Sequence, residues 1–178
     1  MILKITNTTF PGVEKMKLLF LLSFVFLQLS CDGGLTLPPD VQPGIEGTIT
    51  VSGPWPPMDS VRSLLLFASQ VFPLDSSKVV AGIIDGRISI YPSLTGSLPY
   101  NVSSQQFNMP LPPGTYLYVG LLQRHGDIIV NADSYTVVGV LRDDVNPVNP
   151  RTVIVRDFEV ISGLTIQVDF YNLPPQPF

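Results

Sequence analysis

Cysteine and histidine are nearly missing: the 178-residue chain has one of each, Cys31 and His125. A lone histidine excludes a His-based metal cluster, which draws on several imidazole or thiolate ligands. A lone cysteine excludes an intrachain disulfide, so the fold has to rest on a hydrophobic core. Charge is scarce as well, at 13% of residues. From Cys31 onward eleven Asp and two Glu face Lys78 and six Arg, a net charge of −6, with no basic cluster. That balance argues against a nucleic-acid partner and against adsorption to anionic lipid. Nor is there a long apolar run. The stretch 18–30 has thirteen residues and includes Ser23 and Gln28, short of the ~20 that a membrane-spanning helix needs. Ser and Thr are plentiful, yet none stands in a Gly-x-Ser-x-Gly elbow.

What is present begins with that stretch. Lys15 and Lys17 precede it, Ser30 ends it and Cys31 follows: a positive flank, a short apolar core and a small residue before a cut site describe an export signal. The arrangement resembles a bacterial lipoprotein signal, with Leu29 and Ser30 in acceptable places and Gln28 where the pattern has Leu. The resemblance implies that Cys31 carries lipid and becomes the first mature residue. It places the protein in the cell envelope, anchored to a membrane, with the outer membrane and a periplasmic or surface-facing domain as the expected site. Lipid chains contribute about 0.8 kcal/mol per buried methylene, so two or more anchor stably. An ordinary cut near Ser30 would instead leave Cys31 a free thiol. Met16 is an alternative start, because Met-Lys followed at once by the apolar core is a compact signal. The chain thus divides into a signal segment at 1–30, a lipidated tether at 31–43, a domain at 44–172 and a Pro-rich C-terminal tail at 173–178.

Eighteen prolines and fourteen glycines fall in clusters such as Pro54-Trp55-Pro56-Pro57 and Pro110-Leu111-Pro112-Pro113-Gly114. Proline fits poorly inside helices and central strands, so the chain is cut into short extended pieces. With abundant Val, Ile, Thr and Tyr this predicts an all-β domain: a single antiparallel β-sandwich of about seven strands. Ile45, Ile49 and Val51 alternate partly with Glu46, Thr48 and Thr50 in a first strand that ends at Gly53. Ser63 to Val71 is almost wholly apolar, as a strand covered on both faces would be; a buried helix is the competing reading, and Pro56-Pro57 and Pro73, which bound the segment closely, favour the strand. Val79 to Ile84 and Arg87 to Tyr91 are expected as strands joined by an Asp85-Gly86 hairpin turn. Tyr100 to Met109 follows, its Ser-Ser-Gln-Gln stretch exposed or at an edge. Thr115 to Gln123 is central, and Tyr135 to Leu141 and Thr152 to Val155 are two more. Leu164, Ile166, Val168 and Phe170 alternate with polar residues in the last strand. No useful amphipathic helix is expected after the signal.

Three segments share a pattern. Gly47-Thr48-Ile49-Thr50-Val51 opens the domain, Phe107 to Val119 with its Leu-Pro-Pro-Gly-Thr-Tyr turn lies in the middle, and Val155 to Phe170 closes it. Together they resemble the carboxypeptidase-regulatory-like, transthyretin-like (prealbumin-like) family of Ig-like β-sandwiches. The usual Thr-x-Asp-x-x-Gly-x-Phe before the turn is replaced by Tyr100 to Phe107. The resemblance implies a non-catalytic module of a secreted or surface protein, used for folding, spacing or adhesion; related sandwiches bind glycans.

The remaining candidates for chemistry are few. His125 with Asp127 forms either a catalytic pair or a solvated turn. Glu46 and Glu159 are the only glutamates after Cys31 and would have to meet across a sugar bond to act as a glycosidase. Asp143 and Asp144 place carboxylates in one loop, as a weak metal site or as a turn shaped by Pro147 and Pro150. Trp55, Tyr116 and Tyr118 are the speculative ligand-binding residues, with Trp55 between prolines the best exposed. Tyr116 and Tyr118, two apart on one expected strand, would share a face.

No cofactor is expected. The first reading is a non-enzymatic envelope lipoprotein acting as a structural or protein-interaction module, its partners the membrane and envelope proteins. The second is a glycan- or small-ligand-binding lipoprotein using exposed aromatics, and a hydrolase is a distant third. An apolar pocket lined by Tyr and Trp would favour the second; a flat, pocketless sandwich would favour the first.

Overall fold

The computed structural model describes residues 41–74, 76–129 and 131–177. Cys31, the signal segment and most of the tether lie outside them. Nine strands run β1 (Gly44–Val51), β2 (Ser63–Ser69), β3 (Ile88–Tyr91), β4 (Ser104–Pro110), β5 (Gly114–Tyr116), β6 (Tyr118–Arg124), β7 (Tyr135–Val140), β8 (Val153–Val155) and β9 (Val160–Val168). One helix, α1 (Ser76–Ile84), stands between β2 and β3. The domain is all-β in character, as its proline spacing and β-branched content require.

Seven strands form one sheet in the order β3-β2-β6-β7-β9-β1-β4, and β5 pairs with β8 apart from it. The sheet curls until it is nearly a barrel. Inward residues of its last strand, Phe107 and Met109 on β4, therefore share one core with Leu64 and Leu66 on β2, and Tyr116 and Val153 of the small pair pack into the same core. The expectation of a wholly antiparallel arrangement is corrected at one place: β1 and β9 run parallel, Ile49 opposite Ile166. Parallel neighbours need a long connection, and here the whole domain is that connection.

Alternation decides which residues enter this core. On β9, Leu164, Ile166 and Val168 are buried while Thr165 and Gln167 are exposed. β2 differs, because all seven of its residues are buried. Leu64, Leu66 and Ala68 face the main core, and Leu65 and Phe67 face a second cluster on the outer surface. A strand covered on both faces reads as a nearly continuous apolar run, as Ser63 to Val71 does.

Two expectations fail for stated reasons. Val79 to Ile84 is helix, not strand. Its β-branched residues suit a strand, but Val79, Val80 and Ile83 also stand at helical spacing, and the outer faces of β2 and β3 supply an apolar surface to cover. Gly82 allows the close approach: a Cβ there would lie 2.7 Å from the Ile88 side chain. Asp85-Gly86 then ends the helix rather than making a hairpin. The Asp85 amide donates to the Ala81 carbonyl, and Gly86 takes a φ of 77°, the left-handed stop that glycine adopts freely. Arg87 closes the corner on the Asp85 carboxylate at 2.6 Å and holds that carboxyl below its ordinary range.

The second failure is Thr115 to Gln123, which is two strands in two sheets. The Leu117 amide donates to the Ser69 carbonyl, and the chain steps there from β5 to β6. The Pro-rich end of the chain also packs back onto the sheet. β7 meets β9 only at Gly139 and Val140. Next to that gap the Gln176 side-chain amide accepts from the Val137 amide at 2.8 Å and donates to its carbonyl at 3.0 Å, as a neighbouring strand's peptide group would.

Candidate functional site

Beneath α1 lies an apolar pocket. Its floor is the outer face of the sheet: Leu65 and Phe67 of β2, Ile88 and Ile90 of β3, Leu122 of β6 and Tyr135 of β7. Its wall is Val79, Val80 and Ile83 of α1, and Leu74, Leu94, Ile129 and Asn131 complete it from the connecting segments. The cavity measures about 150 Å³. A dry cavity of about this size with Leu, Ile and Phe walls takes a molecule as large as benzene. At the rim, Ile84 is 82% exposed.

Register decides what lies beyond the apolar floor of the pocket. Leu65 is opposite Leu122, and Leu122 is opposite Val137, across β2, β6 and β7. One pleat further along the same face, Ser63 is opposite Arg124, and Arg124 is opposite Tyr135. Side chains two apart on a strand share a face, so Ser63, Arg124 and Tyr135 border the apolar floor. The Tyr135 hydroxyl donates to the Ile129 carbonyl at 2.6 Å. Burial pushes its phenol above the ordinary value, with Arg124 pulling the other way.

The residues singled out in the sequence lie elsewhere and do not come together. Tyr116 is fully buried in the main core, its hydroxyl donating to the Pro112 carbonyl at 2.8 Å. Tyr118 is buried in the outer cluster, stacked on Phe72 at 5.0 Å between ring centres, and burial pushes its phenol up to about 12. The two do not share a face, because they belong to different sheets. Trp55 is half-buried against the main core. Its indole donates to the Val102 carbonyl at 3.0 Å, and its ring meets Tyr100 at 4.9 Å and Phe170 at 4.8 Å. It closes one end of the core.

The polar candidates are engaged in turns and exposed pairs. Asp143 accepts from the amides of Asn146 and Val145, which hold its carboxyl below the usual range. Asp144 pairs with Arg151 at 3.1 Å. No group of three or more His, Cys, Asp or Glu able to hold a metal occurs among the described residues. His125 is exposed. Asp127 pairs with Arg62 at 3.2 Å, and the His125 amide donates to the Ser134 carbonyl. Glu159 pairs with Arg156 at 3.2 Å. Glu46 lies in a shallow polar groove with Thr48, Gln106, Asn108 and Tyr91.

The pocket is hidden from the sequence because Val79 to Ile84 satisfies a strand pattern. The signal that finds it is apolar residues at i, i+1 and i+4 ahead of an Asp-Gly stop. Comparison of the chain with protein-family models, with curated proteins and with solved structures found no match to any of them.

Proposed function

We propose that this protein is a non-catalytic envelope lipoprotein, held by lipid on Cys31, whose β domain binds a small apolar ligand under α1. One observation carries the reading: the pocket combines a cavity of about 150 Å³ with walls that are apolar apart from Asn131 and the Tyr135 hydroxyl. Cores are normally packed with few voids larger than a water molecule, so an opening of this size beneath a nine-residue helix is a feature to be filled. The aliphatic walls favour an apolar body over a sugar, which replaces the aromatic stacking expected of Trp55, Tyr116 and Tyr118. The volume limits the occupant to one ring or one short branched chain, below the ~300–1,000 Å³ of drug-sized sites.

We also read the domain as a transthyretin-like sandwich whose main sheet has curled on itself. Its support is the Leu111–Tyr116 turn, which joins β4 to β5 as that family's turn joins two strands, and the Gly-led alternation of β9.

Benzene titrated into the full chain tests the pocket. Methyl resonances of Ile83, Ile88 and Ile90 should shift and saturate, and Val80→Phe should weaken the response at least tenfold by filling the space. Methyls that do not respond in the unmodified protein would sink the ligand-binding reading. The anchor is tested apart from it: Cys31→Ser should move the protein from the membrane to the soluble fraction with its benzene response intact, and a variant that stays on membranes removes the lipid.

A further inference from the structure

Two buried side-chain polar atoms have no hydrogen-bond partner among the described residues, Ser63 Oγ and Arg124 Nε. They are neighbours: Ser63 and Arg124 are direct cross-strand partners on β2 and β6. Both stand on the outer face, one pleat beyond the pocket-lining pair Leu65 and Leu122. Ser63 is 2% exposed, and Arg124 is half-buried. An unsatisfied buried donor is unfavourable by the full desolvation of the group, and more so when it is charged, so the Nε–H of Arg124 and the hydroxyl proton of Ser63 call for an acceptor, while the rest of the guanidinium bears on the Tyr135 hydroxyl. Asp127 is held by Arg62, and no ion pair joins a carboxylate to Arg124 among the described residues.

We propose that the ligand is a small monocarboxylate, its apolar body in the pocket under α1 and its carboxylate at Arg124 and Ser63. This rests on the pocket reading above and names the chemistry of its polar end. A carboxylate is the acceptor that fits. It offers two oxygens, one for the guanidinium and one for the hydroxyl, and charge-assisted bonds of this kind are about twice as strong as neutral ones. A phosphate would bring a second charge to a site with a single cation. A neutral amide would accept through one oxygen and bring two further donors to a place already rich in donors. The cavity sets the body at about the size of an isobutyl or phenyl group.

The experiment compares isovalerate with isovaleramide, the same body with and without the charge, using the Ile83, Ile88 and Ile90 methyls as the readout and benzene as the control. The unmodified protein should bind isovalerate about tenfold more tightly than the amide. Arg124→Gln should bring the two to parity while leaving the benzene response unchanged, which also reports that the variant is folded. Ser63→Ala should weaken isovalerate several-fold and leave benzene alone, since removing an unpaired buried hydroxyl does not harm the fold. Benzene binding with equal affinities for isovalerate and the amide overturns the carboxylate and leaves the apolar pocket standing. Failure of all three probes overturns both. An isovalerate preference that survives Arg124→Gln also overturns the assignment, because the charge would then be read elsewhere.

Discussion

The outer surface of the sheet has two halves built on the same alternation. On β3, β2, β6 and β7 the outward residues are Ile88, Phe67, Leu122 and Val137, and they are buried in the outer cluster. On β9, β1 and β4 the outward residues run in cross-strand rows, Thr165 with Thr48 and Gln106, then Gln167 with Thr50 and Ser104, and solvent reaches them. The backbone does not distinguish the halves, since both are pleated strands of one sheet. Cover distinguishes them. One half has a helix laid over it and an apolar pocket between helix and sheet, and among the described residues no helix covers the other. The lesson is that a strand's pattern reports how many of its faces are covered: continuous apolar on β2, alternating on β9.

The contrast is strongest in stability. Phe67→Ala, which removes a ring that is 1% exposed and lies against Gly120, should destabilise the domain by about 3–5 kcal/mol. Urea unfolding measures this, and it should also widen the pocket enough to alter the benzene response. Gln176→Ala strikes the border between the halves, where a side-chain amide stands in for the missing strand beside β7. It should cost about 1 kcal/mol, and hydrogen exchange should quicken at the Val137 amide before it does elsewhere on β7. Thr165→Ala on the bare half is the control and should fall within about 0.5 kcal/mol of the unmodified protein. A large loss at Thr165 would mean that the bare half is covered in solution, and the comparison would break.

Much of the strand pattern was legible. β1, β2, β7 and β9 fall where alternation and proline punctuation put them, because a period of two and a missing amide hydrogen act locally; β4 begins at Ser104 rather than at Tyr100. α1 was not legible as a helix. Val79-Val80-Ala81-Gly82-Ile83-Ile84 satisfies a strand and a helical stripe alike, and the choice is made by Leu65, Phe67 and Ile88, which offer that stripe an apolar surface. Nor could sequence separate Tyr116 from Tyr118. Their spacing of two puts them on one face only if one strand holds both, and the step at Leu117 comes from the Ser69 carbonyl on a different strand.

The candidate site was illegible for the same reason. Ser63 and Arg124 are distant in sequence, and Val80 and Asn131 stand in segments that read as a strand and a loop. Only the register of β2 against β6 makes Ser63, whose hydroxyl has no partner, the cross-strand neighbour of Arg124, whose Nε has none.

The sequence by itself determined that the domain is β-rich, free of disulfides and acidic, and that β2 is covered on both faces, because these follow from composition and from neighbours along the chain. Tertiary structure alone decided that β1 lies parallel to β9, that the sheet curls nearly to a barrel, that residues 76–84 fold as a helix, and that a pocket remains beneath it. Each of those depends on what a segment is packed against, and local periodicity carries no record of that.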